Sequence, residues 1–110
     1  MTSSTPPDLI VLHDADNVAT ALLDLPPGQP ARVAGIHGPL PDLAPSVAIR
    51  LGHKAAIRDV PAGELVVKHG YPIGRAKNDI ATGEHVHVHN VLSLSRETDV
   101  ATAESSGKGV

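Results

Sequence analysis

The sequence predicts a compact, mostly β domain made of short strands with one or two short helices. Its 110 residues include 10 glycines and 10 prolines, which favour many turns over a helical bundle. Histidine alternates with valine from His85 to His89, and period two is typical of a half-buried strand. An Asp-aliphatic-x-x-Gly pattern begins at Asp24, Asp59 and Asp79, and it predicts corner turns in which glycine directs the chain into the next strand.

The first half of the domain is predicted to contain a strand, a helix and a long irregular segment. Leu9–Leu12 is an apolar strand, and residues 14–17 offer acidic and amide side chains that are suited to cap a helix. That helix is expected to end before Pro26, which cannot continue it. Residues 29–45 are rich in proline and are expected to be irregular around one weak strand, residues 31–36.

The second half is predicted to consist of strands separated by turns at glycine. Val47–Leu51, His53–Ile57 and Glu64–Lys68 are β-like runs, and residues 72–75 form a tight segment fixed by proline and glycine. The alternating histidines then form a strand that residues 91–94 extend.

One domain, residues 9–97, is expected from the length of the chain. Residues 1–8 are predicted to form a disordered lead, and residues 98–110 are predicted to form a disordered tail, because both are poor in apolar side chains.

Composition excludes several classes of function. The net charge of −3 and the single aromatic residue, Tyr71, provide neither a basic surface nor a stacking platform for nucleic acid. Cysteine is absent, so disulfides, thiolate nucleophiles and Cys-ligated zinc are excluded. No apolar run approaches membrane-spanning length, so no membrane association is expected and the predicted location is the cytoplasm. A small aliphatic core also predicts that docking onto a partner would add stability.

The strongest candidate site is the histidine segment, which we define as residues His85–Asn90. If the segment is a straight strand, Val86 and Val88 point into the core and the histidines form a row on the other face. Residues two apart on one face are separated by roughly 7 Å, so a straight strand offers two imidazoles to one metal ion. His85, His87 and His89 are therefore candidate metal ligands or proton-transfer groups, and the alternative is a solvated strand face.

Other candidate site residues come from cationic and polar positions nearby. Within the Gly52-His53-Lys54 run, His53 is a candidate acid-base group and Lys54 a carboxylate clamp, with an exposed strand start as the alternative. Lys68 and Arg75 are further cations for an anionic substrate, or else surface charges. Asn90 is either a substrate contact or an amide that caps a turn.

Several motifs together resemble the amino-terminal domain of altronate and galactarate dehydratases, and the separate small subunit of relatives such as sulfolactate sulfo-lyase. The resemblance covers nearly all of residues 9–94, and where the family has Lys-Tyr-Gly this chain has Lys68-His69-Gly70. The motifs that carry it are Asp16-Asn17-Val18-Ala19-Thr20-Ala21-Leu22, Gly52-His53-Lys54, Lys68-His69-Gly70-Tyr71-Pro72-Ile73-Gly74 and Gly83-Glu84-His85-Val86-His87-Val88-His89-Asn90.

The resemblance implies a β-clip fold of the SAF type and half of an enzyme. The implied reaction is β-elimination from an anionic hydroxy acid: water leaves a sugar acid, or sulfite leaves sulfolactate. A large catalytic subunit would complete the site, and a homo-oligomer is left open. The expected cofactor is a divalent metal, with iron and manganese as candidates, because elimination next to a carboxylate develops negative charge. His87 and His53 are the expected catalytic histidines.

A second hypothesis is a non-catalytic SAF module that binds carbohydrate or assists assembly. Fold alone does not separate the two hypotheses. The histidines favour the enzyme, because a sugar-stacking module would be expected to display aromatic side chains, which this chain lacks.

Overall fold

The structure is a computed structural model that describes residues 6–94. The whole predicted tail, residues 98–110, and the first five residues of the predicted lead lie outside this part. The strands of the described part are β1 (Leu9–Ile10), β2 (Val18–Ala21), β3 (Ala31–Gly35), β4 (Gly38–Leu43), β5 (Lys54–Ala56), β6 (Leu65–Lys68), β7 (Tyr71–Ala76), β8 (His85–Val86) and β9 (Val91–Ser93).

The strands form two sheets, which confirms the predicted mostly β class. The larger sheet has six strands in the order β4-β3-β1-β2-β5-β8, and the smaller has three in the order β6-β7-β9. Neighbouring strands are antiparallel except for β1 and β3, which are parallel. Within residues 6–94 no helix is long and apolar enough to cross a membrane.

The core is aliphatic, as the composition requires. One cluster of buried side chains lies along the six-stranded sheet and includes Leu9 and Ile49. A second cluster joins the two sheets, because Val18 and Val86 of the larger sheet pack in the same cluster as Val66 of the smaller one. The two sheets therefore pack against each other through this second cluster.

The prediction of a helix after residues 14–17 is wrong. Val18–Ala21 is strand β2, which pairs with β1 on one side and with β5 on the other. Asp16 and Asn17 are buried, and their side chains bind the backbone of the β6–β7 hairpin instead of capping a helix. The Asp16 carboxylate accepts a hydrogen bond from Gly70 N–H. These contacts tie the β1–β2 loop to the smaller sheet.

The corner turns predicted from the repeated Asp pattern are present, but each Asp caps a different segment from its own. The Asp59 carboxylate accepts a hydrogen bond from Thr82 N–H, and the Asp79 carboxylate accepts one from Ala62 N–H, so these two turns hold each other. The aliphatic residue of each copy is buried and the glycine has positive φ: Leu25, Val60 and Ile80; Gly28, Gly63 and Gly83.

Two proline-containing segments form strands that the sequence did not predict. Residues 29–45 were expected to be irregular beyond one strand, yet they form the β3–β4 hairpin, and β4 carries Pro39 and Pro41 at the edge of its sheet. An edge strand tolerates proline because one row of its backbone groups has no partner strand. Pro72 lies within β7 rather than in a tight turn, next to an irregularity in its pairing with β6. The predicted run at Val47–Leu51 is reduced to a single bridge between Ile49 and Leu25.

Candidate functional site

The histidine segment begins as a strand and then bends. His85 and Val86 pair with Ala55 and Lys54 of β5, but the strand ends there and residues 87–90 form a turn. The predicted continuous strand is therefore wrong beyond Val86. Val88, which was expected in the core, is 73% exposed.

Asn90 holds this turn together. Its side-chain oxygen accepts a hydrogen bond from His87 N–H at 2.9 Å, and its side-chain nitrogen donates to the His85 carbonyl at 2.8 Å. Asn90 is 2% exposed. These contacts are those of the turn-capping amide considered from the sequence, and a substrate contact by Asn90 stays a prediction.

The bend gathers three imidazoles from two neighbouring segments. His53 Nδ1 lies 2.9 Å from His85 Nε2, and the ring of His87 stacks on that of His53 with centroids 4.3 Å apart. One ligand atom from each of His53, His85 and His87 lies within 4.8 Å of the others. Two of these residues belong to the histidine segment, and the third, His53, immediately precedes β5.

The spacing of these three imidazoles suits one metal ion after small side-chain adjustments. Histidine nitrogens lie about 2.0–2.1 Å from a bound zinc ion, so two ligands of one tetrahedral ion are separated by about 3.3 Å. The 2.9 Å between the nearest nitrogens of His53 and His85 is close to that separation. Within residues 6–94 this is the one group of three or more potential ligands with such spacing.

His89 lies beside the histidine cluster, which consists of His53, His85 and His87, rather than within it. Its ring centroid is 5.2 Å from that of His85, with the two rings tilted by 34°, and its side chain is exposed. The assignment of His89 as a metal ligand stays a prediction.

The surroundings of His85 and His87 favour neutral imidazoles at these two positions. Burial lowers the pKa of His85, and the nearby His53, His89, His87 and Lys54 lower it further. The pKa of His87 is lowered by the same kinds of effect, with burial first and His53 second. A neutral imidazole is the form that binds a metal.

Lys54 lies at the edge of the cluster with a second lysine nearby. Its pKa is lowered, first by burial and then by the positive charge of Lys68. Since Lys68 influences Lys54, the structure brings these two predicted substrate-binding cations to the same region. The Arg75 guanidinium donates a hydrogen bond to the Gly63 carbonyl at 3.0 Å. A role for Arg75 in substrate binding stays a prediction.

A cavity of about 210 Å³ opens between this cluster and the smaller sheet. Lys54 and His87 form its polar wall, and side chains of the smaller sheet and of the turn after β8 complete it: Ile73, Val91, Ser93 and Val88. Sequence reasoning missed these four residues, because apolar and small residues in short strands are indistinguishable from ordinary core and surface positions. The cavity is smaller than the roughly 300–1,000 Å³ of typical ligand pockets.

His13 does not belong to the group of close ligand atoms. The His13 ring packs against Gly70, where an added Cβ would lie 2.8 Å from it. Gly70 is therefore required for close packing of the β1–β2 loop on the β6–β7 hairpin.

Comparison with known proteins identifies a family whose match covers nearly all of the described residues. Residues 7–94 match the family described as the altronate/galactarate dehydratase SAF domain. Altronate dehydratase of Escherichia coli (strain K12) is 46% identical over 90 residues, which are 82% of this chain and 17% of the relative. Altronate dehydratase of Bacillus subtilis (strain 168) is 40% identical over 81 residues, 74% of this chain and 15% of the relative.

A shorter relative is also similar. The (2R)-sulfolactate sulfo-lyase subunit alpha of Chromohalobacter salexigens is 57% identical over 44 residues, which cover 40% of this chain and 47% of that subunit. The chain thus spans less than a fifth of the altronate dehydratases and about half of this subunit. Because the family match covers nearly all described residues, this chain belongs to the altronate/galactarate dehydratase SAF domain family.

Proposed function

We propose that this chain is the histidine-bearing part of a metal-dependent lyase that catalyses β-elimination from a hydroxy acid together with a large partner chain. The observation that carries the proposal is the meeting of His53, His85 and His87 beside Lys54 at an open cavity. The names of the relatives, altronate dehydratase and sulfolactate sulfo-lyase, support elimination as the reaction class. The cytoplasm, expected from the sequence, is the location that this proposal assumes.

The reaction determines which groups the site needs. A base removes the proton next to the substrate carboxylate, and that electron pair forms a carbon–carbon double bond as hydroxide or sulfite leaves the β carbon. The resulting enol tautomerises to a 2-keto acid. Negative charge grows on the carboxylate during proton removal, so positive groups must stand beside it.

The three imidazoles fit a metal role. His53, His85 and His87 would hold one divalent ion, which would supply a Lewis acid for the developing charge. An all-imidazole donor set suits iron better than manganese, which prefers carboxylate and water oxygens. The catalytic contribution of His53 and His87 is then made as ligands, and proton transfer falls to groups of the partner chain.

Lys54 and Lys68 are assigned to the substrate carboxylate. Burial first, and then the positive charge of Lys68, lower the pKa of Lys54, and an anion bound between the two ammonium groups would relieve the repulsion. The small cavity leaves the substrate open on one side. A large partner chain that docks over the histidine segment would close that side and exclude water.

A product assay with the chain and its large partner tests the proposal. We expect the pair to release a 2-keto-3-deoxy acid from altronate or galactarate, or pyruvate and sulfite from sulfolactate. His87→Ala should abolish turnover. His37→Ala is the matched control, because it removes an exposed imidazole that pairs with Asp14 outside the cluster. Full activity of the His87→Ala pair would contradict the proposal.

A further inference from the structure

The side-chain polar groups of Asn90 are directed at the backbone of His85 and His87. The side-chain amide binds His87 N–H and the His85 carbonyl. The backbone N–H donates to the His87 carbonyl at 3.1 Å, and the backbone carbonyl accepts a hydrogen bond from Lys77 N–H. Asn90 is thus a buried residue whose side chain spans the start and the bend of the histidine segment.

The bend changes the distance between the two imidazoles. In a straight strand, side chains two residues apart on one face are separated by roughly 7 Å. The rings of His85 and His87 have centroids 5.3 Å apart, and both also meet the ring of His53. The shorter spacing arises where the Asn90 amide replaces the hydrogen bonds of a continuing strand.

We propose that Asn90 is a positioning residue that sets the spacing of His85 and His87 so that both imidazoles, together with His53, face one metal ion. This inference rests on the metal site proposed above. Asparagine suits the position because it offers a donor and an acceptor at once. Aspartate keeps the acceptor for His87 N–H, but it loses the donor and brings a negative charge to the His85 carbonyl.

Asn17 provides a matched control within the same chain. It is buried, its side-chain oxygen accepts a hydrogen bond from Val67 N–H at 2.8 Å, and its side-chain nitrogen donates to the Leu65 carbonyl at 2.9 Å. The pattern of hydrogen bonds is the same as at Asn90, but it holds strand β6, which contributes no imidazole to the cluster. Replacing Asn17 removes a comparable set of backbone contacts without touching the histidine segment.

The experiment is a titration of the full chain with Co²⁺ alone, followed by visible absorption, with thermal unfolding measured for every variant. We expect Asn90→Ala to bind Co²⁺ about 10–100-fold more weakly than the wild type, the range for residues that orient metal ligands. Its ligand-field bands should change in position or intensity, because the donor geometry changes. The Co²⁺ affinity of Asn90→Asp, which keeps one of the two contacts, should lie between that of the wild type and that of Asn90→Ala. Asn17→Ala should unfold at a lower temperature and keep the wild-type affinity and spectrum.

Equal losses of affinity in Asn17→Ala and Asn90→Ala would overturn the inference, because a general loss of stability would then explain both. Wild-type affinity and spectrum in Asn90→Ala and Asn90→Asp would overturn it as well.

A measurement without metal separates this inference from the proposed metal site. Nuclear magnetic resonance of the imidazole nitrogens reports the contact between His53 Nδ1 and His85 Nε2 in the metal-free chain. If the wild type binds no Co²⁺, the metal site is refuted. Loss of the contact in Asn90→Ala would still support the positioning role, and its persistence would refute that role too.

Discussion

At the residue scale, the geometry and charge around His85 and His87 suit neutral imidazoles. Burial and the neighbouring rings and Lys54 lower the pKa of His85 and of His87, so adding a proton to either of these two imidazoles is opposed. The His53–Lys54 run and the histidine segment were both recognisable in the sequence as sites of chemistry. Their meeting was not, because it depends on the pairing of Lys54 with Val86 in neighbouring strands.

Acidification should destabilise the metal-free chain through this cluster. His85 and His87 have pKa values below 6.5 in the folded chain and recover the ordinary value on unfolding. Between those values the unfolded chain binds protons that the folded chain does not, so the free energy of unfolding falls as the pH falls through 6.5. Urea denaturation between about pH 7.5 and 5 measures this slope.

The matched comparison for that slope is His87→Ala against His37→Ala. His87→Ala should flatten the dependence of the free energy of unfolding on pH, and His37→Ala should leave this dependence unchanged. A free energy of unfolding that rises on acidification in this range would contradict the lowered pKa values.

His53 should matter more for metal binding than His89 does. A row of histidines on one strand would make His89 a ligand equivalent to His85, whereas the folded chain places His53 in the group of close ligand atoms. Calorimetric titration with Zn²⁺ should show a larger loss of affinity for His53→Ala than for His89→Ala. A larger loss of affinity for His89→Ala than for His53→Ala would favour a row of histidines on one strand over the cluster of His53, His85 and His87.

At the element scale, local sequence patterns predicted most strands. They did not predict the positions at which side-chain hydrogen bonds to the backbone end a strand or take the place of a helix cap. The His-Val alternation is typical of a strand, and strand geometry holds for His85 and Val86. Beyond them the chain turns because the Asn90 amide reaches back to two backbone groups, and period two carries no sign of that contact. Asp16 and Asn17 mislead in the same way, since buried hydrogen bonds to a distant hairpin replace the helix cap they resemble.

Gly74 is predicted to be essential for the pairing of β7 with β9. A Cβ at this position would lie 2.5 Å from the Leu92 carbonyl oxygen, and a backbone atom cannot move aside without disturbing the strand. Gly74→Ala should therefore reduce the free energy of unfolding by about 1–3 kcal/mol, the usual cost of overpacking. Chemical denaturation measures this change, and an unaltered free energy of unfolding would show that β9 can shift freely.

At the scale of the whole molecule, we expect the chain to provide one wall of a site that a partner chain completes. Its cavity beside the histidines is open, and the chain corresponds to less than a fifth of the altronate dehydratases that it matches. The purified chain alone should therefore turn over neither a sugar acid nor sulfolactate, because it cannot enclose the substrate. Robust lyase activity from the chain without a partner would contradict this expectation.

The most direct test of the account is a Zn²⁺ titration of the metal-free chain, followed by the imidazole nitrogen resonances of all seven histidines. One equivalent of Zn²⁺ is expected to shift the resonance of one ring nitrogen in each of His53, His85 and His87, while the resonances of His13, His37 and His69 keep their metal-free positions. Shifts confined to histidines outside the cluster, or no saturable shift at all, would contradict the claim that these three imidazoles form one metal site.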